Sequence, residues 1–461
     1  MTEQIQSSDN LDRSEVNSEP NIANTLYHYQ IEQLHNEIQY LNSRLSIIPR
    51  PVEFASIKLM QLWWTITSLV GLGWLHDGTR KHKIDESDEV TVAFTLSQSD
   101  TMQAPRVFLD VTETYKKKTN TGVQRVIRKL CQEGVENNLL IPAVINDGKF
   151  TCIDSKDPIK FNAYDRILLL DTGWENISIY PSALSQAKEK GTEIIIGIHD
   201  LIPVQYPGFV QPYFTIVFQE WLKTITPYCS AALAVSRHSA ESFIEWKNSI
   251  SFDNKITAVG WFHLGCDFDN KKDPKLENLR SSINIPIEYF LSVGTIEPRK
   301  GYSVALDAFD RLWLQGSTTN YVIIGRSGRL AQNIIDRIIH NPQFGKKLHW
   351  PQNVDDQKLN EYYSHCKGVI LPTLAEGFGL PLIEASSYKK PIIASDLPVF
   401  REISQPGVNF FKSGDASNLF NCLKSPQQLS ICNNNEIDLS WKSATINMTN
   451  IIRSNSYQIK L

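Results

Sequence analysis

At 461 residues the chain is long enough for two or three domains, and its 41% hydrophobic and 21% charged fractions are ordinary for a soluble α/β enzyme. The net charge of −4 argues against a nucleic-acid binder, which is usually basic. Seven cysteines, an odd count with no CxxC pair, suggest neither a disulfide framework nor a zinc site, and fit a reducing cytosol.

Residues 1–21 are rich in Ser, Asn, Asp and Glu, read as disordered, and show no secretory signal. A helical extension is expected over 22–85. Ile31, Leu34, Ile38, Leu41, Leu45 and Ile48 alternate spacings of three and four, an a/d seam ended by Pro49 and Pro51. That seam supports a homo-oligomer through residues 22–48, or one amphipathic helix lying on the protein's own body. Residues 59–75 carry no charge, place Trp63, Trp64 and Trp74 near their ends, and precede Arg80, Lys81 and Lys83. Tryptophan with a basic flank suits a membrane–water interface. At about 17 residues the segment is at the lower limit for a span. The expectation is therefore a helix on the inner face of a membrane, with a span or a packed helix as alternatives. Residues 77–104 read as a polar, acidic linker.

From residue 105 short apolar runs alternate with helical periods. RVFLDV (106–111), LIPAVI (140–145), RILLLD (166–171), EIIIGI (193–198) and AALAVS (231–236) predict strands. Val123, Val126, Ile127 and Leu130 predict a helix between the first two. Such a βα series means a parallel sheet, and bounds an N-terminal Rossmann-like domain over 105–275. The charged break NKKDPKLENLRSSINIPIE (270–288) separates it from a second series over 276–440. Strands are predicted there at 289–295, 320–325, 368–373 and 391–395, with helices at 301–315 and 355–366. Residues 441–461 predict a terminal helix. The fold class is α/β, two Rossmann-like domains facing a cleft.

Two clusters in the second series carry chemistry. In TIEPRKG (295–301) Arg299 and Lys300 stand where a strand ends and a helix opens. Two fixed cations beside unpaired helix N–H groups suit a diphosphate, although a solvated turn would look the same. In EGFGLPLIE (376–384) two carboxylates flank a glycine-containing bend at the C-terminal edge of a parallel sheet, where such proteins bind ligands. Gly377 and Gly379 allow close backbone approach, Pro381 suits a first helical turn, and Glu384 is placed to bond a ribose diol. Backbone N–H groups around Phe378–Leu380 could hold a sugar or a phosphate.

Together with WPQNVDDQKLNEYYSHCKGVILPT (350–373) and PIIASDLPVFREI (391–403), these segments resemble the family-4 retaining glycosyltransferases of the GT-B class over roughly 289–452. The resemblance implies that Arg299 and Lys300 bind a donor diphosphate and that Glu376, with Gly377, Phe378, Gly379 and Leu380, binds the donor sugar. It further implies that Glu384 takes the ribose and that Asn353 and Val354 lie near the base. In the N-terminal half, TGVQR (121–125) looks like the family's glycine-containing loop. It implies a donor contact at Gly122 and acceptor contacts at Thr121, Gln124 and Arg125. The longer form, with Asp110 ending the strand, is similar to a subset that builds bacterial surface polysaccharides and lipopolysaccharide O-antigen. By the same resemblance His199, in HDLIP (199–203), lies by the reacting centre and Asp200 orients it or binds acceptor hydroxyls. SRHS (236–239) looks like a structural turn of the family, and Trp441 opens its crossover helix.

The catalytic set implied is thus His199, Arg299, Lys300 and Glu376. No metal-ligand spacing and no DxD at a strand end are evident, so no metal or cofactor is expected beyond the nucleotide-sugar co-substrate. The expected activity is retaining transfer of a hexose, with mannose the leading donor sugar, to a growing glycan that could be lipid-linked. The expected location is cytoplasmic, peripheral on the inner face of the membrane. The alternative is a non-catalytic GT-B-like subunit of a polysaccharide assembly.

Overall fold

A computed structural model describes residues 105–117, 121–250, 255–266, 288–425, 429–431 and 438–461. The heptad seam, the tryptophan-flanked segment, the acidic linker and most of the 270–288 break lie outside the described residues.

The apolar runs form strands because their β-branched and aliphatic side chains are buried on both faces, as strands of a covered parallel sheet must be. In the first sheet these are β1 (Val107–Asp110), β2 (Ile141–Asn146), β3 (Lys149–Cys152), β4 (Arg166–Leu169), β5 (Glu193–Ile198), β6 (Ala231–Ala234) and β7 (Ala258–Trp261). The second holds β8 (Tyr289–Val293), β9 (Asn320–Ile324), β10 (Leu348–His349), β11 (Gly368–Leu371), β12 (Ile392–Ser395) and β13 (Val408–Phe411). A last strand, β14 (Ile459–Lys460), joins the first sheet. The orders are β14-β7-β6-β5-β4-β1-β2-β3 and β10-β9-β8-β11-β12-β13. Pairing is parallel throughout, except for the β2–β3 hairpin and the β14 edge.

In each sheet the order reverses direction at one place, between β1 and β4 in the first and between β8 and β11 in the second. Ligands of open α/β sheets bind outside the strand C-termini at such switch points. Both clusters singled out from the sequence follow β8 and β11. The sheet topology therefore places these loops at a ligand-binding position.

Six of the nine predicted strands end one or two residues early, where side chains at their ends turn to loop backbone, whereas 193–198 and 391–395 end as predicted and 140–145 runs on to Asn146. Asp171 leaves β4 to accept the Thr114 N–H at 2.7 Å, and Ser236 leaves β6 to cap the next helix through the Ser239 N–H at 3.0 Å. Helices 302–314 and 356–365 match their predictions closely. Helix Gly122–Glu136 opens on a capping box: Thr121 Oγ1 accepts from Gln124 N, and Gln124 Oε1 accepts from Thr121 N. The terminal helix Trp441–Ser454 returns to the first domain, where Arg453 donates to Leu139 O at 2.7 Å and β14 pairs with β7.

Three features escaped the sequence reading. The β2–β3 hairpin turns on Asp147 and Gly148, both at positive φ, as a two-residue type I′ turn requires. The Asp-Gly pair was a visible signal for it. Strands β7 and β13 are four residues each, and their apolar runs are interrupted by Gly260 and Asn409. Strand β14 has no apolar run at all and is held by backbone pairing.

Candidate functional site at the domain boundary

The loop after β8 makes a 3-10 turn, Pro298–Lys300, closed by Gly301 at φ 68°. A side chain at Gly301 would be strained there, and its Cβ would stand 1.8 Å from Pro372 O. That close approach lets the Leu374 N–H donate to Arg299 O at 2.7 Å, which locks the cationic turn onto the loop after β11. Lys300 Nζ then meets Glu376 Oε2 at 2.5 Å, with Arg299 Nη1 at 3.6 Å from the same oxygen. Arg299 Nε also donates to Glu297 Oε2 at 2.9 Å. Burial alone would raise the Glu376 carboxyl, but Lys300 and Arg299 outweigh it and hold the group below its ordinary range. Lys300, Glu376, Tyr302, Thr373, Pro381 and Phe400 line one pocket.

Glu384 lies in helix Leu380–Ser387, which opens at Gly379 with Pro381 in its first turn. Its Oε1 accepts from Arg125 Nη1 at 2.7 Å, across the boundary between the two sheets. Arg125 itself projects from the first turn of helix Gly122–Glu136. Gln124 is buried and its side chain closes the capping box with Thr121. Gly122 opens the helix with open space where a Cβ would stand. Asn353 occupies an exposed turn at φ 55°, and Val354 packs partly buried against the core. Phe378 is also buried, so it offers the site its backbone and not its ring.

His199 and Asp200 follow β5 and lie directly against the loop after β11. A Cβ at Gly377 would fall 2.2 Å from His199 O and 2.7 Å from Asp200 Cβ. His199 Nε2 lies 2.8 Å from Leu170 O. A carbonyl only accepts, so Nε2 carries the proton and Nδ1 keeps its lone pair. Burial pushes the imidazole pKa down, more than Leu170 O and Asp171 raise it, so the ring is neutral near pH 7. Burial raises the Asp200 carboxyl, against the pull of Arg299. Its Oδ1 accepts from Ile202 N at 3.0 Å.

SRHS, read from the sequence as a structural turn, joins the halves, while the partner role of Glu402 and the Asp110–Asp171 pair were missed. Ser236 and Ser239 both donate to Gly377 O, at 2.7 and 3.0 Å, and Ser239 Oγ lies 3.0 Å from His199 O as well. Glu402, in PVFREI, accepts from the Arg237 and His238 N–H groups at 2.7 and 3.0 Å and contacts His263 Nε2 at 2.7 Å. Its carboxylate therefore caps helix Arg237–Ser249 from the other domain. Nothing in the local sequence marks a partner 165 positions away. A buried pair, Asp110 and Asp171, ends β1 and leaves β4 at the first switch point. Asp110 accepts from Tyr180 Oη at 2.8 Å and from Thr112 N at 3.1 Å. Burial and the neighbouring Asp171 push its carboxyl up to about 7. The Asp at the end of each apolar run was the available signal.

Comparison with known proteins agrees with this architecture. The serotype-specific mannosyltransferase WbdA of Escherichia coli is 29% identical over 363 residues, which cover 72% of this chain and 44% of that protein. The O-antigen chain mannosyltransferase RfbU of Salmonella typhimurium is 27% identical over 238 residues, 51% of this chain and 61% of that one. The chain thus spans less than half the length of WbdA. Among solved structures, sucrose-phosphate synthase from Thermosynechococcus elongatus aligns with a TM-score of 0.54 at 15% identity, covering 76% of this chain and 99% of that one. Anabaena HepE in complex with UDP and glucose aligns at 0.51 and 12%, covering 76% and 95%. These neighbours share the GT-B fold, two parallel-sheet α/β domains. Residues 277–424 match the family model described as glycosyl transferases group 1, and the described residues have the GT-B fold of these solved structures.

Proposed function

We propose that the protein is a retaining, metal-independent hexosyltransferase that uses a nucleotide-diphosphate sugar in bacterial surface-polysaccharide or O-antigen synthesis. The observation that carries this reading is the convergence of Arg299, Lys300 and Glu376 at the second switch point, directly facing His199 and Asp200. Glu376 holds Lys300 and Arg299 in place, so the two cations are organised before a diphosphate arrives. Preorganised charge of this kind stabilises a leaving group without reorganisation at the moment of reaction. The acceptor hydroxyl attacks from the face the diphosphate leaves, and a β-phosphate oxygen takes its proton. Glu376, bound to two cations, is a poor candidate for a covalent nucleophile. His199, neutral with its Nδ1 lone pair, contributes polarity beside the donor sugar and no fixed charge.

Mannose is the leading donor sugar, since the relatives WbdA and RfbU are named as mannosyltransferases. The acceptor is a growing glycan, and residues 59–75 suit action at the inner face of the membrane. A thermal-shift screen of GDP-, UDP- and dTDP-sugars, followed by transfer assays with the stabilising donor, tests the reading. Lys300→Ala should lower turnover roughly 100- to 1,000-fold while the protein still folds. Wild-type turnover in that variant would remove the assignment. Donor binding without any transfer would favour a non-catalytic assembly subunit.

A further inference from the structure

The carboxylate offered to the ribose is already occupied. Glu384 Oε1 is held by Arg125 at 2.7 Å, and the two residues belong to different domains and stand 259 positions apart. Glu384 has a side chain 14% exposed, whereas that of Arg125 is 40% exposed. The carboxylate is thus largely covered while the guanidinium stays open to solvent. A half-exposed pair of this kind is weak, because solvent screens it and ordering a long side chain opposes it. It can therefore be displaced by a ligand that bonds the same oxygens. Beside it, Tyr363 is buried with a hydroxyl that has no hydrogen-bond partner among the described residues, and it lies within electrostatic reach of both Glu384 and Arg125. A buried hydroxyl without a partner costs free energy until one is supplied.

From these observations, and resting on the nucleotide-sugar reading above, we infer that Arg125 is a positioning residue that competes with the donor ribose for Glu384. Before a donor binds it ties helix Gly122–Glu136 to helix Leu380–Ser387. The 2′,3′-diol of the donor takes Glu384 and releases Arg125, so the helix that carries the acceptor-side residues is untied only when a donor is in place. Donor loading is thereby communicated to the acceptor half through one ion pair.

The competition has a signature that a structural or phosphate-binding arginine lacks. Take whichever of GDP and UDP binds the wild type more tightly, and its 2′,3′-dideoxy form. Both carry the same diphosphate, so the ratio of their dissociation constants reports only the diol. In Arg125→Ala, and in Arg125→Met as a check on folding, the preference for the ribose form should rise about three- to tenfold, because the diol no longer has to displace a guanidinium. In Glu384→Gln the preference should fall towards one, and adding Arg125→Ala should not restore it. An unchanged preference in the Arg125 variants would show that Arg125 does not compete. A reduced one would show that it helps Glu384 grip the ribose. Either result overturns the inference and leaves the nucleotide site standing. Failure of both GDP and UDP to bind the wild type would overturn the nucleotide reading itself, and this inference with it.

Discussion

Asp110 illustrates how a single carboxyl can record the demands of a fold. It ends β1 beside Asp171, and burial together with that neighbour raises its pKa from 3.8 to about 7. A carboxyl whose folded value exceeds its unfolded value binds its proton more tightly in the native state. The stability it contributes is complete below about pH 4 and is lost as pH rises through 7. Asp110→Asn removes that titration. Relative to this variant, the wild type should lose stability progressively between about pH 4 and 7, by an amount on the order of a few kcal/mol. Parallel melting curves at several pH values measure the difference, and a constant gap would show Asp110 to be ionised throughout. Glu376 behaves oppositely, since its cations hold it below its ordinary range and what it contributes is lost as pH falls through that lowered value. The sequence showed Glu376 plainly, through its place in the Glu-x7-Glu pattern. Asp171 went unnoticed because its importance comes from a neighbour on an adjacent strand.

Helix Arg237–Ser249 shows the same division one level up. Its own sequence supplies one cap, Ser236, whose hydroxyl accepts the Ser239 N–H. The other domain supplies a second, Glu402, which takes the two preceding N–H groups and His263. Burial would raise the Glu402 carboxyl, but His263 and those N–H groups hold it below its ordinary range. Glu402→Ala leaves the helix its serine cap, so the helix should persist while the docking weakens. The expected cost is about 1–3 kcal/mol in urea unfolding. A loss below about 0.5 kcal/mol would mean that the contact is a screened surface pair. Capping patterns of the local kind, such as Thr121 with Gln124, are legible in a sequence because both members lie within one turn. Caps lent by another domain are not.

The two halves are tightly packed where Gly377 meets the His199–Asp200 peptide. Ser239 ties His199 O and Gly377 O to one hydroxyl, so neither backbone can yield alone. A methyl at Gly377, 2.2 Å from His199 O, must therefore shift one domain against the other. Gly377→Ala should lower transfer roughly 10- to 100-fold through that displacement, while each core keeps its packing and unfolding stays cooperative. Turnover and a melting curve on the same preparation separate the two effects. Activity near the wild-type level would show that the boundary is soft enough to absorb a methyl group.

Period and composition along the chain were sufficient for the two βα series, the approximate bounds of their strands and helices, and the placement of Arg299, Lys300, Glu376 and Glu384 at strand C-termini. Those features depend on side chains within a few positions of one another, and local alternation of apolar and polar residues encodes them. The pairings needed the folded molecule. Lys300 with Glu376, Arg125 with Glu384, Glu402 with Arg237 and His263, and Asp110 with Asp171 join loops that two sheets bring to their switch points. Strand order and the docking of one domain on the other decide which loop meets which, and a one-dimensional pattern does not contain that choice.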